Sequence, residues 1–302
     1  MSTKLSVSLP LPAGYRPNDI LAFHRRDAQE IAERVNGTHL EKGMVWRGFP
    51  ACLSVHFQGR QAEVELSIDG HCDGNHEFEF MIRRLLGLTQ DIEEFEARFR
   101  GHFSLGRLIA RQSGLRVPVS STPFEALTWA VTGQQISVAA AVSLRRRLVM
   151  STNIRHSSGL LCYPGADQIA ELNEHILRQS GFSTTKANTL LTLSRMAHDG
   201  TLPLDDLPQN CEPVGVIREK LKTVRGIGPW TINYTLLRGF GWLDGSLHGD
   251  AAVRRGLQTL LDLPADISEK DAMNWLAQFS PWRALVAAHI WAARSAGLSS
   301  SY

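Results

Sequence analysis

A single carboxylate and a glycine-pinched turn are the groups in this chain best placed to do chemistry. The run SLHGDAAVRRGL begins 18 residues after Gly228 and carries Asp250 just ahead of an apolar helical pattern, Val253, Leu257 and Leu260. A carboxylate there caps the helix that follows, and the positive end of that helix favours its charged form. The same group can stabilise positive charge on a reacting carbon or orient an attacking water. Upstream, LKTVRGIGPWTINYTLLRG holds Gly226 and Gly228. Glycines permit backbone geometry that a side chain forbids, and free N–H groups at the next helix start make a cradle into which a phosphate fits. Trp230 and Tyr234 are four apart and share a helix face. Core packing and a stacking pocket are both open to them, with Trp291 arriving from HIWAAR.

These groups work together only if the chain positions them. Pro213 suits a helix start, and Val214, Ile217, Leu221 and Val224 recur at helical spacing up to the turn. Pro229 suits the first turn of the next helix. The spacing therefore predicts a helical hairpin over residues 212–239, with Asp250 returning beside it after one short loop. Arg225, Arg254 and Arg255 are placed to meet phosphates, though a solvated helix face explains them equally well.

The wider organisation is α+β. Residues 1–88 read as a small domain with strands over 5–9, 44–57 and 62–68 and helices near 18–35 and 76–86. From 89 to 302 nearly every segment is helical: 124–132, a helix capped by Ser137 and running to 149, one between 182 and 200, and a last one over 281–296. A chain of 302 residues with 43% hydrophobic content can bury a sizeable core, while a formal charge of +2 means that any affinity for a polyanion must come from local clustering. Cys52, Cys72, Cys162 and Cys211 have no metal-ligand spacing and read as reduced, mostly buried thiols of a cytoplasmic protein. No signal peptide or membrane-length apolar run is visible.

The hydrophobic residue before the glycines, the GIG core and Thr231 together resemble the helix-hairpin-helix motif of base-excision DNA glycosylases. GQQISVAAAVSLRRRLV, GFSTTKANTLLTLSRMAHDGTLP, the hairpin, the Asp250 segment and PWRALVAAHIW follow in an order that resembles bacterial 3-methyladenine DNA glycosylase II, the AlkA type. The resemblance covers the helical body and implies a TATA-binding-protein-like fold for residues 1–88. It implies a catalytic Asp250 acting in N-glycosidic hydrolysis, a base pocket of Trp230, Tyr234 and Trp291, and DNA contacts at Gln135, Arg225, Gly226, Gly228 and Thr231. It further implies a monovalent cation, Na or K, on the backbone carbonyls of Lys222, Val224 and Ile227. Trp230 stands where glycosylase–lyases of the superfamily carry a Schiff-base lysine, so monofunctional hydrolysis is expected. The four-cysteine iron–sulfur cluster of other branches is missing. No second acid is visible, which suits a base that is already cationic, such as 3-methyladenine or 7-methylguanine.

Two positions depart from the family's best-known form. Gln135 replaces a leucine wedged into DNA, and Ala292 replaces a pocket tyrosine. The implied partner is duplex DNA with damaged bases, the implied state a monomer, and the implied location the bacterial cytosol beside the nucleoid. A glycosylase for deaminated or oxidised bases such as hypoxanthine, and a non-catalytic lesion-binding module, remain as alternatives.

Overall fold

The computed structural model describes residues 2–72, 75–206, 208 and 213–295. The N-terminal unit is a five-stranded antiparallel sheet in the order β1-β5-β4-β3-β2, built from β1 (Thr3–Pro10), β2 (Glu33–Asn36), β3 (His39–Trp46), β4 (Phe49–Gln58) and β5 (Gln61–Ile68). Alternation in β5 turns Ala62, Val64, Leu66 and Ile68 to one face, where cross-strand pairs such as Leu53↔Leu66 and Val7↔Val64 meet. Helices α1 (Pro17–His24) and α2 (Asn75–Leu85) cover that face with Ile20, Leu21, Phe78, Ile82 and Leu85.

Two local expectations are corrected here. The stretch 44–57 is two strands rather than one, because Arg47 and Gly48 both adopt positive φ, 48° and 85°, and close a two-residue hairpin between Trp46 and Phe49. The helix expected over 18–35 ends at His24. The Asp27 carboxylate accepts the Gln29 N–H at 3.0 Å, Glu30 takes a left-handed φ of 50°, and the chain re-emerges as β2.

The helical body runs α3 (Glu93–Phe99), α4 (Gly106–Arg111), α5 (Pro123–Gly133), α6 (Val138–Thr152), α7 (Ala166–Ala170), α8 (Glu174–Gln179), α9 (Thr184–His198), α10 (Val214–Lys222), α11 (Pro229–Phe240), α12 (Ala251–Leu260), α13 (Glu269–Ala277) and α14 (Arg283–Ser295). Caps set the starts: Thr122, Ser137 and Ser183 each accept a backbone N–H three residues ahead. Cys211 and Ala296 lie outside the described residues, while Cys52, Cys72 and Cys162 are buried. The body has two cores. One gathers α5 to α11 around Leu127, Leu190, Leu221 and Leu236, and the other gathers α3, α4 and α12 to α14 around Phe95, Leu257, Phe279 and Leu285. Helix α11 faces both, with Ile232 and Leu236 in the first and Tyr234 and Leu237 in the second.

A buried ionic cluster pins the sheet to the body. Lys42 of β3, 1% exposed, bonds Glu33 at 2.6 Å and Glu125 of α5 at 2.7 Å. Arg145 of α6 reaches the same two carboxylates at 3.2 and 3.0 Å, and His24 meets Glu33 through Nδ1 at 3.0 Å. Burial works against the charge on Glu33, yet Arg145, Lys42 and His24 hold its carboxyl well below the usual range. Glu125 is held down in the same way, by Lys42 and then Arg145, against its burial. Alongside, Arg146 pairs with Asp27 at 2.6 Å.

Candidate active site

The hairpin forms as its sequence predicts. Ile217 and Leu221 are buried along α10 and Val224 just past its end, and α11 begins at Pro229 after the GIG turn. Gly226 has φ of +91°, and a Cβ there would meet Thr189 Oγ1 at 2.5 Å, so glycine is required twice over. Gly228 is a correction: its φ of −94° and ψ of 175° are open to any residue. Nothing lies within 4 Å of where its Cβ would sit, so the glycine leaves room for a ligand rather than permitting a strained backbone. The first intrahelical bond runs from Ile232 N–H to the Gly228 carbonyl at 3.0 Å, which leaves the N–H groups of Trp230 and Thr231 to face an anion.

Thr231 has a buried side chain whose hydroxyl accepts from Gln134 Nε2 at 2.9 Å, so its backbone N–H is the group placed toward the turn. The same Gln134 amide donates to the Gly226 carbonyl at 2.9 Å, and Thr189 Oγ1 donates to the Arg225 carbonyl at 3.3 Å. Two carbonyls of the turn are thus occupied by side chains. The Val224 carbonyl accepts only the Ile227 N–H, at 3.2 Å, and retains a lone pair. A cradle of the Lys222, Val224 and Ile227 carbonyls is therefore compatible with a hard monovalent cation. Arg225 is exposed at the tip, Arg255 is exposed on α12, and Arg254 is half-buried.

Asp250 caps α12 and holds a second set of bonds. Its Oδ1 accepts the N–H groups of Ala252 and Val253, both at 2.9 Å, and the Trp291 indole N–H at 3.3 Å. Its Oδ2 accepts the Trp230 indole N–H at 3.0 Å, which leaves lone-pair capacity on that oxygen for a ligand. The aromatic residues expected around it converge. Trp230 and Tyr234 have ring centroids 5.2 Å apart at 32°, and Tyr234 and Trp291 are 6.1 Å apart at 53°. Tyr234 is buried while both tryptophans are half-exposed, so a flat ligand would meet the indoles first. Ala292 lies half-buried on the adjacent stretch of α14.

Gln135 sits at the exposed loop tip between α5 and α6 with a left-handed φ of 56°, flanked by exposed Ile136 and Val138. The loop is fastened from behind. Lys186 Nζ donates to the Thr132 and Gln134 carbonyls at 2.8 and 2.7 Å, and Gln134 ties the loop to the hairpin.

Sequence reasoning missed four side chains beside the rings. Trp129 of α5 donates its indole N–H to the Tyr234 hydroxyl at 2.8 Å. Arg238 continues the face of Trp230 and Tyr234 one turn further, and extending that i, i+4 pattern by one step finds it. Its guanidinium carbon lies 5.5 Å from the Trp291 ring centroid and 4.9 Å from that of Phe23. Phe23 and Arg26 come from the N-terminal unit and had no local signal. Arg26 stacks on Phe23 at 4.3 Å and reaches Trp129 at 5.9 Å, in a narrow cleft between sheet unit and body.

The site thus combines ring faces, one carboxylate with a free lone pair, an anion cradle and a loop tip beside it. That is the equipment of an enzyme that extracts a planar group from a phosphodiester polymer and cleaves at the carbon that bore it. Comparison with known proteins names the class. The model of the HhH-GPD superfamily of base excision DNA repair proteins matches residues 128–281, and the chain belongs to that superfamily. The AlkA N-terminal domain model matches residues 6–121. Among relatives, DNA-3-methyladenine glycosylase 2 of Escherichia coli is 33% identical over 190 residues, covering 62% of this chain and 64% of that protein. The putative DNA-3-methyladenine glycosylase YfjP of Bacillus subtilis is 26% identical over 240 residues, 79% of this chain and 82% of that one. The chain thus aligns with a little under two thirds of the Escherichia coli relative. In fold it is similar to the 3-methyladenine DNA-glycosylase of Archaeoglobus fulgidus, with TM-score 0.79 at 20% identity over 95% of this chain and 97% of that one. It is also similar to the 8-oxoguanine glycosylase/lyase of Clostridium acetobutylicum in complex with duplex DNA, with TM-score 0.73 at 15% identity over 98% of each chain.

Proposed function

We propose that this protein is a monofunctional DNA glycosylase that flips alkylated purines, 3-methyladenine and 7-methylguanine among them, out of duplex DNA and releases them by hydrolysis. The observation that carries the reading is the carboxylate of Asp250, fixed by two indole N–H groups at the mouth of the aromatic cluster, with the hairpin turn at the start of the helix that carries Trp230 and Tyr234. The names of the relatives point the same way. The superfamily works on DNA, and the free N–H groups of Trp230 and Thr231 suit a backbone phosphate, with Arg225 and the room over Gly228 beside them.

The flipped base stacks on Trp230 and Trp291. As the bond from C1′ to the base nitrogen breaks, its electron pair leaves with the base and positive charge grows on the sugar, facing Asp250. Water supplies the oxygen to C1′; one of its protons stays on the new hydroxyl, the other passes to solvent, and a cationic purine departs as the neutral base. A cationic purine leaves without protonation, so one carboxylate suffices for it. Gln135, at the loop tip, fills the space that the base vacates. The carbonyls of Lys222, Val224 and Ile227 would hold a Na or K ion that lends positive charge toward the phosphate. The protein acts as a monomer in the bacterial cytosol, on nucleoid DNA.

Duplexes carrying 7-methylguanine, 3-methyladenine or hypoxanthine, incubated with enzyme and then treated with alkali, test the assignment. Base release with strand breaks only after alkali is expected. Efficient covalent trapping with borohydride would reveal an amine nucleophile and overturn the monofunctional reading, and no release from any duplex would leave a lesion-binding module.

A further inference from the structure

The charge at the back of the base pocket does not match a site built only for cations. Arg238 is 7% exposed and lies on the face of α11 that carries Trp230 and Tyr234. Its Nη1 donates to the Pro118 carbonyl at 2.9 Å, its Nε has no hydrogen-bond partner, and among the described residues it makes no ion pair with a carboxylate. Burial, only partly offset by the Tyr234 hydroxyl beside it and reinforced by the Arg26 charge, pushes the guanidinium down to about 10, which still leaves it charged at neutral pH. The nearby acids are already committed: Glu33 and Glu125 to Lys42 and Arg145, and Asp27 to Arg146. Arg26, on the cleft side, makes no ion pair among the described residues either. One face of Trp291 is thus backed by a cation, so a positively charged base stacked on the other face is repelled through the ring.

We infer that Arg238 is a specificity-determining residue that makes the pocket serve neutral purine lesions, such as hypoxanthine or 1,N6-ethenoadenine, as well as cationic ones. The inference rests on the glycosylase reading and names a substrate class within it. When the bond from C1′ to N9 of a neutral purine breaks, the electron pair moves onto the ring and the departing base becomes anionic. A proton from solvent later neutralises it, while water adds to C1′ and gives up a proton, so charge and atoms balance. A fixed cation behind the ring stabilises that negative charge. For a cationic lesion the base stays partly positive in the transition state, and the same cation opposes its capture from the helix. The two classes differ by one unit charge throughout. With the guanidinium carbon 5.5 Å from the Trp291 ring centroid and a stacked base about 3.5 Å beyond it, a charge roughly 9 Å away at an effective dielectric of about 20 separates their second-order rates by roughly twentyfold.

The test compares second-order rates of single-turnover base release from duplexes carrying hypoxanthine and from duplexes carrying 7-methylguanine, for the unaltered protein, Arg238→Gln and Arg238→Lys. The ratio of neutral to cationic release should fall about tenfold or more in Arg238→Gln and stay within a fewfold in Arg238→Lys, which keeps the charge. Because the ratio is taken on one preparation, partial misfolding of a variant lowers both rates and leaves it unmoved. Equal loss on both lesions, or an Arg238→Lys ratio as low as that of Arg238→Gln, would overturn the inference and make Arg238 a structural anchor for residue 118. Release of neither lesion by the unaltered protein is the separate outcome that defeats the glycosylase reading itself.

Discussion

Two buried groups of charges lie a short way apart in this molecule, and they are wired in opposite ways. Where the sheet meets α5 and α6, Lys42 and Arg145 each contact both Glu33 and Glu125, and two cations match two anions with no valence left over. In the pocket, among the described residues, Asp250 is held by neutral N–H donors alone, and Arg238 by a carbonyl, the Tyr234 hydroxyl and ring faces. Neither is paired with its opposite. A charge neutralised by a neighbour can hold a fold together but has little left for a substrate. A charge held only by dipoles keeps its field for whatever enters. Joining Asp250 to Arg238 directly would disarm both.

Substitutions can break that contrast from either side. The largest effect is expected from Asp250→Asn, which keeps the shape and an oxygen acceptor but removes the charge: base release should fall by two to four orders of magnitude, roughly 3 to 5 kcal/mol in barrier, with lesion-DNA affinity largely retained. Near-normal single-turnover rates would reduce Asp250 to a helix cap. In the paired cluster the loss should appear in stability instead. Lys42→Met strands Glu33 and Glu125 and should cost about 3 to 5 kcal/mol in denaturant unfolding, while excision per folded molecule stays close to normal. Equal damage to both would erase the distinction.

Smaller effects sharpen it. Trp291→Ala removes a stacking face and one donor to Asp250, and should slow release of every lesion, by about 1–3 kcal/mol from stacking alone. Gly226→Val meets both a left-handed φ and Thr189, and should weaken binding to damaged and undamaged duplexes alike, by about tenfold. Unchanged affinity for undamaged DNA in a folded variant would make the turn purely structural. The smallest expected change concerns His24, whose imidazole is pushed below its ordinary value by burial despite the nearby Glu33. A lowered folded value means that the native state resists the proton, so stability is full above the unfolded value near 6.5 and declines as pH falls through it toward the folded value. His24→Gln should flatten that part of the stability profile measured by thermal unfolding, and an unchanged slope would show that other groups set it.

Local patterns made the hairpin, the cap at Asp250 and the helix start at Ser137 legible, because each depends on a few neighbouring residues. The Trp230–Tyr234 face was legible for the same reason, and the AlkA-type resemblance pointed to Trp291. The rest depended on tertiary meeting points. Nothing in the run DILAFHRRD shows that Phe23 will meet Arg238 and Arg26 will meet Trp129, since those partners lie more than a hundred residues away. The ending of α1 was hidden by a turn whose key bond is a side chain to a backbone N–H. Gly228 was read as strained because glycines adjacent in a motif look alike in sequence, while only Gly226 needs the left-handed φ.

The strap formed by Gln134 and Lys186 bears on how such a protein would travel. The loop that carries Gln135 and the turn at Gly226 are bolted to one another, so they move as one carriage. If that turn grips the backbone as proposed, such a carriage would not slide first and probe later: each step along the groove would press the fingertip against the next base pair, and a loosened pair would detain it before any bond is cut.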